Sequence, residues 1–310
     1  VPGAYALISQ DGSQQAPSAQ ARTMASESQA AGLPLRPDRM VEFTTTEGTW
    51  MSLDVSPDGH TVVFDLLGDI YVLPIGGGKA TRLTQGPAYD AQPRYSPDGR
   101  EIVFVSDRAG SEDVWVMRSD GSSPHPITHD PYSRFISPSF THDGQSILVS
   151  RSELQTYGRS IELWIYHRDG GKGVAVVPTE SAPGTPRDDW NNAVGAVASP
   201  DGRFIYYSYA RGNRVNFSTS EGTLRSMPYW QVRRRDRFTG EEKTLTSARG
   251  SAMRPVLSPD GRWLVYGTRR DAATDFWLRE VRSGEERLLH AGVQRDDQQS
   301  FSPTLDLLPG

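Results

Sequence analysis

SPDGHTVVF at residues 56–64 returns as SPDGREIVF at 96–104, SPDGRFIYY at 199–207 and SPDGRWLVY at 258–266. A fifth copy, THDGQSILV, occupies 141–149, and successive copies start 40, 45, 58 and 59 residues apart. Residue by residue, the unit spells a tight turn running into a strand. Proline supplies a fixed φ, aspartate accepts local backbone N–H groups, and glycine takes the left-handed conformation that closes a hairpin. The apolar run after each turn suits a strand buried on both faces.

Three further segments recur around this unit in constant order. A short strand precedes each turn: MSLDV, QPRYS, SPSFT, VGAVA and RPVLS. After the apolar strand comes an acidic or polar residue followed by apolar and aromatic ones. It begins at Asp69, Asp113, Glu162 and Asp275, and weakens to Tyr229-Trp230-Gln231-Val232 in the fourth unit. A second turn (GGGK, SDGS, RDGG, FTGE, RSGE) then leads into a thin outer strand. Four strands per unit at the first two spacings is the signature of a propeller blade. The fold class expected is all-β: a β-propeller of four-stranded blades over 39–310, with blades near 49–86, 87–130, 131–180, 190–250 and 251–292, and a further one starting at 293–310. The stretch MVEFTTTEG (40–48) reads as an orphan outer strand, so five blades of a ring of at least six are expected, completed by sequence or a chain beyond residue 310.

Composition agrees. Thirty glycines and 22 prolines among 310 residues fit many short strands with many turns. A formal charge of −5 offers no bulk attraction to nucleic acid, and no apolar run reaches the roughly 18 residues of a membrane helix. The absence of cysteine excludes disulfides, thiolate metal sites and cysteine nucleophiles. Residues 1–38, rich in Ala, Ser, Gln and Pro, read as a flexible leader behind a removed export signal, or as an appended tag. Exported, periplasmic or extracellular, is the expected localisation.

Catalytic motifs are missing. The six histidines form no His-x-His or His-Glu-x-x-His pattern; Pro126 separates His125 from His129, and His142 stands where the other turns have proline. No Gly-x-Ser-x-Gly elbow occurs, and GGGKAT (76–81) leads into a strand rather than a phosphate-binding helix. Arg233, Arg234, Arg235 and Arg237 read as a solvated outer face. The series Tyr71, Trp115, Trp164, Trp230 and Trp277 reads as packing between blades, and the acids that open the third strands as pins for those strands. No catalytic residue and no metal ligand is assigned. The candidates for binding are polar residues that open the inner strands and would line a central channel: Asp90, Gln92, Arg134, Asn191, Asn192 and Arg254. Insertions at 179–192 and 210–228 are loops of the kind that carry binding.

The repeat SPDG, apolar strand, Asp-(Ile/Val)-(Tyr/Trp) resembles the TolB-like, or PD40, propeller repeat over about 40–310. The stretches VEFTTTEGTWMSLDVSPDGHTVVFDLLGDIYVLPIGGGKATRLT and SPDGREIVFVSDRAGSEDVWVM, with RDDQ and LLPG near the end, resemble the N-terminal propeller of large exported bacterial amidohydrolase-family proteins. That resemblance implies a non-catalytic propeller beside a metal-dependent C–N bond hydrolase domain. A zinc-like divalent metal would sit in that other domain, with no cofactor in this segment. The expected partner is that domain or a second chain completing the ring, with self-association at open sheet edges. A stand-alone periplasmic TolB-like scaffold and the propeller gate of a prolyl-oligopeptidase-type serine peptidase are the alternatives.

Overall fold

The repeated turn is a closed hydrogen-bonded unit. Ser56 Oγ donates to Asp58 Oδ1 (2.6 Å) and accepts from Thr61 N–H (2.9 Å), while the His60 N–H donates to Asp58 Oδ1 (3.0 Å). Gly59 sits at φ 73° and donates its N–H to the Ser56 carbonyl at 2.8 Å. The same hydroxyl–carboxylate pair recurs at Ser96/Asp98, Thr141/Asp143, Ser199/Asp201 and Ser258/Asp260. Threonine at 141 therefore preserves the unit, since only the hydroxyl is used.

In a computed structural model of the chain, the described residues are 43–48, 51–153, 160–180, 184–186, 190–211, 230–247, 251–270 and 273–293. Blade one comprises β1 (Leu53–Val55), β2 (Thr61–Leu66), β3 (Asp69–Pro74) and β4 (Thr81–Arg82). Blade two comprises β5 (Asp90–Tyr95), β6 (Glu101–Ser106), β7 (Asp113–Arg118) and β8 (His125–Pro126). Blade three comprises β9 (Ser133–Phe140), β10 (Ser146–Glu153), β11 (Glu162–His167) and β12 (Val174–Val177). Blade four comprises β13 (Asn191–Ala198), β14 (Phe204–Arg211), β15 (Gln231–Asp236) and β16 (Glu242–Thr244). Blade five comprises β17 (Ala252–Leu257), β18 (Trp263–Arg270), β19 (Ala273–Glu280) and β20 (Glu286–Val293). Each blade is a four-stranded antiparallel meander in chain order. The chain is an all-β propeller of five such blades in a ring, and no helix among the described residues could cross a membrane.

Strand alternation explains the continuous apolar runs. In β6, Ile102 and Phe104 pack with Val63 and Ile70 of blade one, whereas the intervening Val103 packs with Phe135, Ile147 and Val149 of blade three. Leu148 and Leu163 then meet Ile205 and Tyr207, and Tyr206 and Val232 meet Leu264 and Tyr266. Every second residue thus serves one seam and its neighbours serve the next, so no polar face remains. Beyond blade five the series changes. Val265, Phe276 and Leu278 cluster only with Trp263 of their own blade, and no comparable packing joins β18 to β1 among the described residues.

The orphan strand expected at 40–48 is not formed in its described part. Residues 43–48 belong to no sheet, and Phe43 is exposed. An outer strand needs a ladder partner, and each described blade already has four strands. The leader at 1–38 and the further blade starting at 293–310 lie essentially outside the described residues.

Acid should weaken the repeated turn. Hydrogen bonds from the neighbouring hydroxyl, then from backbone N–H groups, hold Asp58, Asp98, Asp143, Asp201 and Asp260 below the usual carboxylate value of 3.8. Asp236 is drawn down to about 2, first by its Arg203 hydrogen bond. A depressed carboxylate stabilises the fold above its unfolded value, and that contribution disappears as pH falls through the folded one. Burial raises Asp65 and Asp69, which act in the opposite direction. The depressed groups outnumber these two. Thermal melts should therefore show the midpoint falling as pH drops below about 4; a midpoint flat from pH 5 to pH 2.5 would contradict this.

Candidate functional site

Four of the five inner strands carry the same irregularity. Pairing of β5, β9, β13 and β17 with its neighbour skips Gln92-Pro93, Ser137-Pro138, Gly195-Ala196 and Arg254-Pro255, two residues opposing one. Gln92, Ser137, Gly195 and Arg254 have φ of 58°, 55°, 64° and 56°, so each is a bulge with its first residue left-handed. All four stand four residues before the first residue of the repeated turn, the place that Ser52 holds in blade one.

A bulge removes a backbone N–H from its ladder, and the preceding blade supplies the acceptor. Gln92 N–H donates to Asp65 Oδ2 (2.7 Å), Gly195 N–H to Ser150 Oγ (3.2 Å) and Arg254 N–H to Ser208 Oγ (2.8 Å). Asp65, Ser150 and Ser208 occupy equivalent places on β2, β10 and β14. The equivalent in blade two is Val105, which cannot accept, and there Gln92 Oε1 takes the Ser137 N–H at 2.5 Å. Blade one is tied to blade two a second time: Asp54 accepts from Arg94 Nη1 (3.0 Å) and from Tyr95 N–H (2.7 Å). The propeller is stitched around its axis by polar side chains as well as apolar seams.

These bulges surround a central cavity of about 270 Å³ at the turn end of the inner strands. Ser52, Asp54, Gln92, Arg94, Ser137 and Arg254 line it, and the turn residues Pro97, His142 and Pro200 border it. Arg254 reaches from blade five to blade three, where Nη1 donates to Ser137 Oγ. Gly195 lies beneath its path: a Cβ there would stand 3.1 Å from Arg254 Cδ. Arg254 is half-buried, and burial, followed by repulsion from Arg94, brings its pKa down to about 10.

Of the residues expected to line a channel, Gln92 and Arg254 are among those that line this cavity. The others lie towards the opposite end of the inner strands, each in a pairing. Asp90 receives Arg108 Nη2 on both oxygens at 2.8 Å, and Arg134 Nε donates to Glu112 at 2.6 Å. Asn191 accepts from the Tyr209 hydroxyl at 2.8 Å, and Asn192, fully buried, accepts from Ile161 N–H at 3.1 Å in the seam between blades three and four. Ser52, Asp54, Arg94, Ser137, Ser139 and His142 line the cavity without having been singled out; their common signal was distance from the turn.

Other readings find their places. Trp115 packs in the seam of blades one and two, and Trp277 in that of blades four and five. Asp113 Oδ1 accepts from the Thr128 hydroxyl (2.7 Å), whose oxygen receives Val114 N–H (2.9 Å), so the acid does pin its strand. The basic run is less solvated than expected. Arg233 and Arg235 share Glu242 at 3.2 and 2.8 Å, and the Arg233 and Arg234 guanidinium groups lie over the rings of Tyr209 and Phe204. Among the described residues no three His, Asp or Glu side chains are placed to hold a metal ion. The cavity wall combines hydrogen-bonding and charged side chains (Ser52, Asp54, Gln92, Arg94, Arg254) with apolar ones (Phe140, Val197, Val256).

The TolB structure from Acinetobacter baumannii superposes with a TM-score of 0.57 at 19% identity, over 79% of this chain and 56% of that one. The propeller is TolB-like. Residues 51–195 match the Tricorn protease N-terminal beta propeller domain family. An uncharacterized protein of Agrobacterium fabrum is 33% identical over 50% of this chain and 53% of its own length. The uncharacterized peptidase YuxL of Bacillus subtilis is 26% identical over 64% of this chain and 24% of its own. The TolB-like chain thus spans about half the length of the first relative and about a quarter of the second.

Proposed function

We propose that this chain is the non-catalytic propeller of a larger exported hydrolase, serving assembly and the passage of substrate to an adjoining catalytic domain. The observation that carries this reading is the pattern of the matches. Residues 51–195 match a propeller family placed at the N-terminus of Tricorn protease, and the peptidase relative is matched over only 24% of its length. The cavity contributes a recess among the inner strands, with polar and apolar side chains in its wall.

Two catalytic partners fit. The motif resemblance favours a metal-dependent amidohydrolase, whose zinc-like ion would belong to its own domain. The peptidase relative favours a peptidase, for which the prolyl-oligopeptidase type is the alternative read from the sequence. A TolB-like envelope scaffold is the reading without chemistry, favoured by the fold likeness alone.

The test uses the full-length native protein, treated with a fluorophosphonate probe and, separately, with a chelator. Hydrolysis of amide substrates lost on chelation, without probe labelling, supports the amidohydrolase parent. Labelling that survives chelation supports the peptidase. Neither activity in the full-length protein would overturn the hydrolase reading in favour of a scaffold.

A further inference from the structure

The left-handed position nearest the axis is filled by Gln92, Ser137, Gly195 and Arg254 in successive blades. Glycine alone is unstrained at such a φ, and asparagine or aspartate tolerates it better than a long side chain. Arginine here carries backbone strain together with the cost of enclosing a charge, two costs that concentrate at functional positions. Gly195, lacking a side chain, leaves the lane through which Arg254 crosses.

We propose that the central cavity is a binding site for a small oxyanion, in the first place a carboxylate, held by the Arg254 guanidinium beside Ser137 and Gln92. The cavity wall carries two guanidinium groups, Arg94 and Arg254, against one carboxylate, Asp54. Asp54 is engaged by Arg94 and by the Tyr95 N–H, and the lining carries one more guanidinium than carboxylate. A guanidinium is matched to carboxylate and phosphate oxygens by its fork of donors. Water takes up about 30 Å³ in the liquid, so a cavity near 270 Å³ has room for about nine waters and admits a carboxylate as large as succinate with water beside it. The site belongs to the propeller itself and does not depend on which domain accompanies it.

The experiment is titration calorimetry of the 310-residue chain with acetate, succinate and inorganic phosphate, with circular dichroism as the check on folding. Saturable succinate binding, weakened at least tenfold in a folded Arg254→Gln variant and less in Arg254→Lys, is the expected result. Gly195→Ala, which crowds the lane, should also weaken it. Phosphate that competes with succinate and is lost in Arg254→Gln supports the site and makes phosphate its ligand. No saturable binding of any of the three, or affinity unchanged in Arg254→Gln, would overturn the proposal. Should Arg254→Gln fail to fold, wild-type crystals with bromoacetate decide. Bromine scattering beside Arg254 supports the site, and its absence from the cavity refutes it.

Discussion

Phe104→Ala should lower the unfolding free energy by about 3–5 kcal/mol, the range for truncating a fully buried aromatic ring. Phe104 has no exposed surface and lies in the seam of blades one and two among Val63, Ile70, Ile102 and Met117. The Arg108 guanidinium lies over it, 5.1 Å from the ring centroid, and donates to Asp90. These neighbours belong to strands already held in ladders on both sides, so the void can collapse only partly. Urea unfolding followed by fluorescence should show the midpoint moving down with an unchanged slope. Phe238→Ala is the control. That ring is 80% exposed, and its loss should change stability by no more than about 0.5 kcal/mol. Equal effects of the two substitutions would contradict the seam as described.

Asp65→Ala should cost about 2–4 kcal/mol, because it strands two backbone donors at once, each worth about 1–3 kcal/mol when left without a partner. Its two oxygens accept from Ser52 N–H within blade one and from Gln92 N–H across the seam, both at 2.7 Å. Asp65→Asn keeps one acceptor and should lose about half as much. The pH dependence gives this prediction a second readout. Burial raises the Asp65 pKa despite the N–H bonds that oppose it. A raised carboxylate favours the folded state increasingly as pH falls through its folded value, and alanine cannot follow. The gap between wild type and Asp65→Ala should therefore widen from pH 7 toward about pH 4. Urea denaturation across that range measures it; a constant gap would assign the carboxylate no titration in the fold.

The blades were legible because each turn residue is locally indispensable. Ser or Thr provides the hydroxyl, Asp the acceptor and Gly the positive φ, so chemistry repeats wherever the geometry does. The seams were legible too, since Ile102, Val103 and Phe104 could form an unbroken apolar run only if both faces of β6 were covered. The bulges were not, because Gln92, Ser137, Gly195 and Arg254 share no chemistry, only a distance from the turn. The channel candidates legible in the sequence are polar residues that open the inner strands. There Asp90 accepts from Arg108, Asn191 from the Tyr209 hydroxyl and Asn192 from the Ile161 N–H. Gln92 and Arg254 were found for their polarity, whereas their left-handed backbone and the role of Gly195 beneath Arg254 exist only in three dimensions. The strand read at 40–48 shows the remaining gap: alternation in Val41, Phe43 and Thr45 suggests a strand, but a ladder requires a neighbour that sequence periodicity cannot supply.

The central claim is that this TolB-like propeller works as one part of a larger hydrolase. The most direct measurement is the intact mass of the endogenous protein, captured with an antibody raised against residues 51–293. The account predicts a species far heavier than the 34.2 kDa of this chain, carrying hydrolase activity. A single species at 34.2 kDa would contradict it and leave a free propeller whose work is binding alone.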